Sequence, residues 1–246
     1  MAQETDRTSA VPQSVALRGL FTRIVGIYDR LNHVLTLGLD ILWRRRALVV
    51  LARTLCAERM IPCEILDLAT GTGDFALAAA VRFPTARILG VDLTPAMLAR
   101  GVEKVAVAGL SDRIRLQEGD ALDLALGANS FDVVLCAFGF RNFPEVDRAL
   151  GEAARVLRHG GRLLVLEFFR PRSRLLGGAV SYWVRQLASW FAAPWRGEYD
   201  YLRESIARTC RVDEFIACAS RAGLHVEARR NYLPACTCLQ FQKRSE

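Results

Sequence analysis

Between Glu64 and Phe168 one unit recurs: a short apolar run rich in branched residues, a turn, and then, in most of the gaps, a stretch of helical periodicity. The runs are EILDLA, RILGVD, RIRLQEGDA, FDVVLCAFG and GGRLLVLEF, with helices expected through Ala76–Val81, from Pro95, and over Glu145–Leu157. Runs apolar on both faces and joined by crossover helices belong to a parallel sheet covered on both sides. Beyond a long insertion, Val212–Ala222 reads as a helix stopped by Gly223, and HVEARRNYL and CTCLQFQKR as two strands joined by a turn. A closing hairpin of that kind, with an antiparallel last strand, is foreign to a plain dehydrogenase domain.

The rest of the chain is organised around that core. Its 246 residues, 52% hydrophobic, suit one elaborated domain. Residues 1–14 have no period and read as a tail. Residues 15–60 read as a helical cap: Leu17, Leu20, Phe21, Ile24, Tyr28 and Leu31 recur at helical spacing, and a second helix is expected from Asp40 as N-cap through Trp43 towards Leu55. Residues 61–246 form the main domain, with a helical lid over about 171–205. There Val180, Trp183, Val184, Leu187, Trp190 and Phe191 make an amphipathic aromatic face flanked by Arg170, Arg172 and Arg174.

The polar N-terminus and the lack of a long apolar run point to the cytoplasm. Seven cysteines without a C-x-x-C pair read as reduced, mostly buried thiols, with Cys236 and Cys238 on one face of a strand, and no metal site is expected. The net charge of +7 rests on arginines, including Arg44, Arg45, Arg46, Arg229 and Arg230. Solvated faces are their ordinary fate; an anionic membrane surface also fits, whereas no nucleic-acid-binding pattern is present. An assembly of identical copies is left open.

DLATGTGDF, Asp67 to Phe75, puts Gly71 and Gly73 between a buried strand and a helix start. Glycine there allows left-handed backbone and close approach of a ligand. Asp92 ends the next strand, where a carboxylate can accept from both ribose hydroxyls. In GDA, at the expected end of the third strand, Asp120 can accept from an adenine amino group while the Ala121 amide donates to a ring nitrogen. Gly71-x-Gly73-x-x-Ala76 also satisfies the dinucleotide fingerprint, so a nicotinamide or flavin enzyme competes. The flanking acids Asp67 and Asp74 disfavour a pyrophosphate and favour the cationic S-adenosylmethionine.

Four segments then carry a resemblance: YDRLNHVLTLGLDILWRR (Tyr28 to Arg45), FGFRN (Phe138 to Asn142), RVLRHGGRLLVLEF (Arg155 to Phe168) and EYDYLRESI (Glu198 to Ile206). Together they resemble the ubiquinone/menaquinone biosynthesis C-methyltransferases, from about Phe21 to about Ile206. The resemblance implies a class I Rossmann-like methyltransferase fold: seven strands, mostly parallel, the last antiparallel. It implies S-adenosylmethionine as cofactor, a prenylated quinol as substrate, with demethylmenaquinol favoured, and a peripheral place on the membrane. Thr72, Asp92, Asp120, Ala121 and Ala137 would line the cofactor site, with Asp67, Gly71 and Gly73 beneath it. Tyr28, Asn32, Arg141 and Asn142 would face the ring, and Tyr201 would join the substrate set. This chain departs from the family's usual residues at Leu31, Thr36, Asp40, Ala137, His159 and Phe169. Leu31, Thr36 and His159 read as packing or turn changes of little consequence, whereas Asp40 and Ala137 can alter a hydrogen bond near substrate or cofactor.

Methyl transfer to an aromatic carbon is an in-line displacement driven by electron density from a quinol oxygen, and a dry pocket favours it. Arg141 stays protonated, so its role there is to stabilise the oxyanion and, with Asn142 and Tyr28, to hold the ring. The proton acceptor is open among His33, Asp40, Asp123 and a water held by Arg141, the water being favoured. The plain structural alternative for Arg141 is an ion pair with Glu145. Transfer to a soluble phenol, or a silent binding module of the same fold, are the other functions compatible with the loop.

Overall fold

The computed structural model describes residues 18–19, 21–23, 25–26, 28–29, 32–33, 36–170, 205, 208–232 and 236–244. The expected tail, Tyr201 and the aromatic face of the insertion lie outside them.

Seven strands form one sheet: β1 (Glu64–Leu68), β2 (Arg87–Asp92), β3 (Ile114–Glu118), β4 (Phe131–Ala137), β5 (Leu157–Phe168), β6 (Leu224–Tyr232) and β7 (Cys236–Lys243). Their order is β3-β2-β1-β4-β5-β7-β6. The first five are parallel, and β7 inserts antiparallel between β5 and β6, as the closing hairpin required. Alternate side chains feed two apolar layers. Ile65, Val133, Leu135, Leu164 and Leu166 pack with α1 (Leu39–Ala57) and α2 (Asp74–Arg82), next to α3 (Pro95–Val107). Leu66, Leu68, Val134, Leu163 and Val165 pack with α4 (Val146–Val156) and α5 (Val212–Arg221). Cys236 and Cys238 share the first layer. The described residues between Arg18 and His33 are helical.

In the second layer Phe215 of α5 meets Phe140, Phe169 and Phe241 at ring separations of 5.0, 5.3 and 6.1 Å. It is 1% exposed, so its truncation to alanine should cost about 3–5 kcal/mol. This aromatic cluster anchors the turn that carries Arg141.

Four expectations need correction. α1 starts at Leu39, capped by the left-handed Gly38, and Asp40 is an interior residue that other side chains engage, not an N-cap. β3 stops at Glu118, so GDA lies just beyond it, in a turn bridged between Asp120 and Asp123. His159 stands within β5, which starts at Leu157, and the register of β4 against β5 shifts between Phe131 and Val133 to admit the early start. Of the seven free thiols only Cys136, Cys236 and Cys238 are buried.

Candidate active site

At the C-terminal end of β1 the Asp67 side chain is buried and accepts from the Thr70 hydroxyl at 2.6 Å. Burial pushes its carboxyl up to about 7. The chain then turns through left-handed positions at Ala69, Gly71 and Gly73, and the Gly73 N–H closes the turn on the Thr70 carbonyl at 2.9 Å. A non-glycine residue held there marks a turn kept under strain by its surroundings. At the end of β2, Asp92 accepts from the Gly71 N–H at 2.9 Å and the Thr94 N–H at 2.8 Å. Burial raises the Asp92 pKa against the pull of these donors. A carboxylate has about four acceptor positions, so Asp92 retains capacity for vicinal hydroxyls.

The third strand's turn joins them through the Gly119 N–H, which donates to the Asp92 carbonyl at 3.0 Å. Ala121 is buried there. Asp120 is exposed, and its Oδ1 accepts from the Leu122 N–H at 2.8 Å. Asp74 does not stand as an open anion, because Lys104 of α3 pairs with it. The same ammonium donates to Asp29 at 2.9 Å and to the Thr72 hydroxyl at 3.0 Å, and Thr72 donates to Asp29 at 2.6 Å. Thr72 therefore ties the glycine turn to the cap.

The cap reaches the C-terminal edge of the sheet at two further places. Arg18 donates to the Leu93 carbonyl at 2.7 Å and pairs with Glu118. Tyr28 lies so close that a Cβ on Gly71 would stand 4.0 Å from its Cε1. Burial raises the Tyr28 pKa, while the field of Arg141 and a hydrogen bond with the Asn32 side chain pull it back.

After Ala137 ends β4, Phe138 adopts φ 60° and stacks on Phe168 at 5.0 Å. Gly139 permits this because a Cβ there would stand 2.8 Å from both the Ala69 Cβ and the Cys136 Sγ. Phe140–Asn142 then form a 3-10 turn. Arg141 Nη1 donates to Glu167 Oε1 at 2.8 Å, and the Arg141 backbone N–H donates to Glu167 Oε2 at 3.1 Å. Both side chains are buried, and the Arg141 Cζ lies 5.7 Å from the Phe138 ring centre and 5.9 Å from that of Phe168. The carboxylate partner of Arg141 is thus Glu167 and not Glu145. The LEF segment ending β5 was its signal in the sequence.

Arg44, expected among solvated arginines, is buried and donates to Asp40 at 2.5 Å. Asp40 also accepts from Thr36 at 2.8 Å and meets His33 Nδ1 at 3.0 Å. The Thr36 hydroxyl thus serves the carboxylate of the Asp40 departure. Burial opposes ionisation of Asp40, but Arg44, Thr36 and His33 hold its carboxyl below the usual range, which makes it a poor base. Asp123 is exposed and lies 3.9 Å from Arg148.

The glycine turn, Asp67, Asp92 and Ala137 thus share the C-terminal edge of the sheet with Tyr28, Asn32, Arg141 and Asn142, where open α/β sheets bind ligands. The sequence pattern of the ubiE/COQ5 methyltransferase family matches residues 9–241. The demethylmenaquinone methyltransferase of Thermus thermophilus is 40% identical over 210 residues, spanning 84% of this chain and 92% of that protein. The ubiquinone/menaquinone biosynthesis C-methyltransferase UbiE of Syntrophotalea carbinolica is 39% identical over 220 residues, 86% of this chain and 87% of its own. Among solved structures, a SAM-dependent methyltransferase from Aquifex aeolicus shares the fold at a TM-score of 0.56 and 16% identity, over 78% of this chain and 88% of that one.

Proposed function

The chain belongs to the ubiE/COQ5 methyltransferase family, and from that premise we propose that it transfers the methyl group of S-adenosylmethionine to a ring carbon of a prenylated quinol, demethylmenaquinol being the favoured acceptor. The dinucleotide reading of the glycine turn falls with that membership. One observation carries the proposal: the Asp92–Gly71 hydrogen bond and the Arg141–Glu167 pair open on one sheet edge, beneath Tyr28.

The residues suit the cofactor. Asp92 keeps acceptor capacity for the ribose, the glycine turn leaves backbone room, and a bound sulfonium would draw the buried Asp67 carboxyl, pushed up to about 7, towards its anion. When bound, S-adenosylmethionine supplies an electrophilic methyl on a sulfonium. Arg141 lowers the pKa of a quinol hydroxyl set beside it, and Glu167 fixes the guanidinium fork from behind. Tyr28, half-buried beside Gly71 and hydrogen-bonded to the Asn32 side chain, would limit water on the cofactor side. A peripheral membrane position supplies the prenylated acceptor; among the described residues no helix is long and apolar enough to cross a membrane.

The test is methyl transfer from labelled S-adenosylmethionine to a chemically reduced, short-chain demethylmenaquinol, with calorimetry of S-adenosylhomocysteine. Native protein should methylate the quinol, and Asp92→Ala should lose about 1.5–3 kcal/mol of affinity. Unchanged affinity in that variant, or tighter binding of a nicotinamide dinucleotide, would falsify the cofactor assignment. Transfer confined to soluble phenols would do so for the acceptor.

A further inference from the structure

Arg44 stands at the same aromatic ring as Arg141 and has no part in the mechanism above. Its Cζ lies 5.2 Å from the centre of the Phe138 ring, which Arg141 approaches at 5.7 Å. Arg44 is 8% exposed, its Nη1 is engaged by Asp40, and its Nε–H is buried with no hydrogen-bond partner among the described residues. A buried donor without an acceptor is costly, and a ligand oxygen would relieve it. The fields of Arg44 and Arg141 both reach Tyr28 and Cys236, in keeping with their shared place at the Phe138 ring.

We propose that Arg44 is the second donor of the acceptor site, binding the quinol oxygen para to the one that Arg141 stabilises. The inference rests on the quinol reading above. A para-quinol carries two oxygens on opposite sides of one ring, so a site selective for it needs two donors, and two guanidiniums beside one phenylalanine provide them. Each has its own carboxylate, Asp40 for Arg44 and Glu167 for Arg141. The two pairs therefore offer directed N–H groups without an excess of positive charge to repel a sulfonium cofactor. Electron density for attack comes mainly from the oxygen beside the methylated carbon. The para oxygen serves recognition, which makes Arg44 a specificity-determining residue.

The experiment compares two acceptors: a short-chain prenylated 1,4-naphthalenediol, and an analogue that keeps the hydroxyl beside the methylated carbon and lacks the para hydroxyl. Because R44Q alone leaves Asp40 buried without its cation, D40N/R44Q is used as well, with melting curves to establish folding. In native protein, loss of the para hydroxyl should lower kcat/KM by about tenfold to a hundredfold beyond its effect in D40N/R44Q. In D40N/R44Q the two acceptors should differ little, R44K should restore part of the preference, and S-adenosylhomocysteine should bind all variants equally. The same acceptor ratio in native protein and in folded D40N/R44Q overturns the proposal. So does a fall in S-adenosylhomocysteine affinity at constant ratio, which assigns Nε to the cofactor's carboxylate. Native protein that binds S-adenosylhomocysteine yet methylates neither acceptor overturns the quinol reading itself.

Discussion

At Asp67 burial outweighs the Thr70 hydroxyl and the field of Arg44, so the carboxyl titrates near about 7, well above its ordinary 3.8. The fold therefore prefers the protonated form. Its contribution to stability is complete below the unfolded value and is lost as pH rises through about 7. Without cofactor, Asp67→Asn should melt above native protein at about pH 8, and the gap should narrow towards about pH 5. A bound sulfonium favours the anion, so native protein should release protons on binding S-adenosylmethionine near neutrality, and Asp67→Asn should release none and bind more weakly. Calorimetry in two buffers of different ionisation enthalpy reads this; binding without proton release in native protein would dispose of it. At Arg141, alanine leaves Glu167 as an uncompensated buried charge, a loss of about 3–5 kcal/mol, so the catalytic test needs Arg141→Ala/Glu167→Gln alongside. Turnover should fall from native to Arg141→Lys to Arg141→Ala, by about a hundredfold to a thousandfold at the last, with S-adenosylhomocysteine affinity nearly constant. Near-native turnover in a folded double variant removes Arg141 from the chemistry. FGFRN was legible because its residues are contiguous. Glu167 was not assigned a role, because it meets Arg141 across 26 positions only once β4 and β5 have paired.

Among elements, the strands were the most legible, since parallel strands buried on both faces must be written as apolar runs. The start of α1 was less so. Asp40 has the chemistry of an N-cap, but Gly38 takes the left-handed cap position while Thr36, His33 and Arg44 claim the carboxylate. Nor did helical periodicity disclose how the cap is fastened, because its anchors are polar and their partners distant. Lys104 of α3 gathers Asp29 of the cap, Asp74 of α2 and Thr72 of the turn. Lys104→Met would leave two carboxylates near one another with no cation between them, and their repulsion would push Asp29 off the turn. Hydrogen exchange around Tyr28 and Asp29 should quicken, and S-adenosylhomocysteine affinity should drop by about tenfold, because these bonds are partly shielded from water. Asp29→Asn/Lys104→Met should recover part of the loss. If exchange in the cap is unchanged by Lys104→Met, the cluster does not hold the cap closed.

On the quinol reading proposed above, the molecule as a whole must bring a dry site to an acceptor whose prenyl tail resides in lipid. Its net charge is +7, which favours an anionic surface, and among the described residues no helix is long and apolar enough to cross a membrane. α1 joins the two requirements. Arg44 and Trp43 point inward, while Leu37 just before the helix and Ile41, Leu42 and Val49 along it stand 62%, 40%, 39% and 38% exposed, beside exposed Arg45, Arg46 and Arg53. Apolar side chains amid arginines are what an anionic interface binds, through burial of the former and attraction of the latter. The aromatic face of the insertion, with Trp183, Trp190 and Phe191, is the other candidate for this work, whereas α1 reads as amphipathic only once its inward face is known. Native protein should float with vesicles containing anionic lipid and detach as salt rises. Ile41→Ser/Leu42→Ser with Arg45→Gln/Arg46→Gln should weaken flotation by about tenfold, since each basic residue near the surface contributes on the order of 1 kcal/mol. Transfer to a short-chain acceptor in detergent-free solution should persist in that variant, because none of the four residues lines the site. Serine at Trp183, Trp190 and Phe191 provides the parallel arm. Flotation that survives both sets of substitutions in folded protein would mean that the acceptor reaches the site by another route than the bilayer surface.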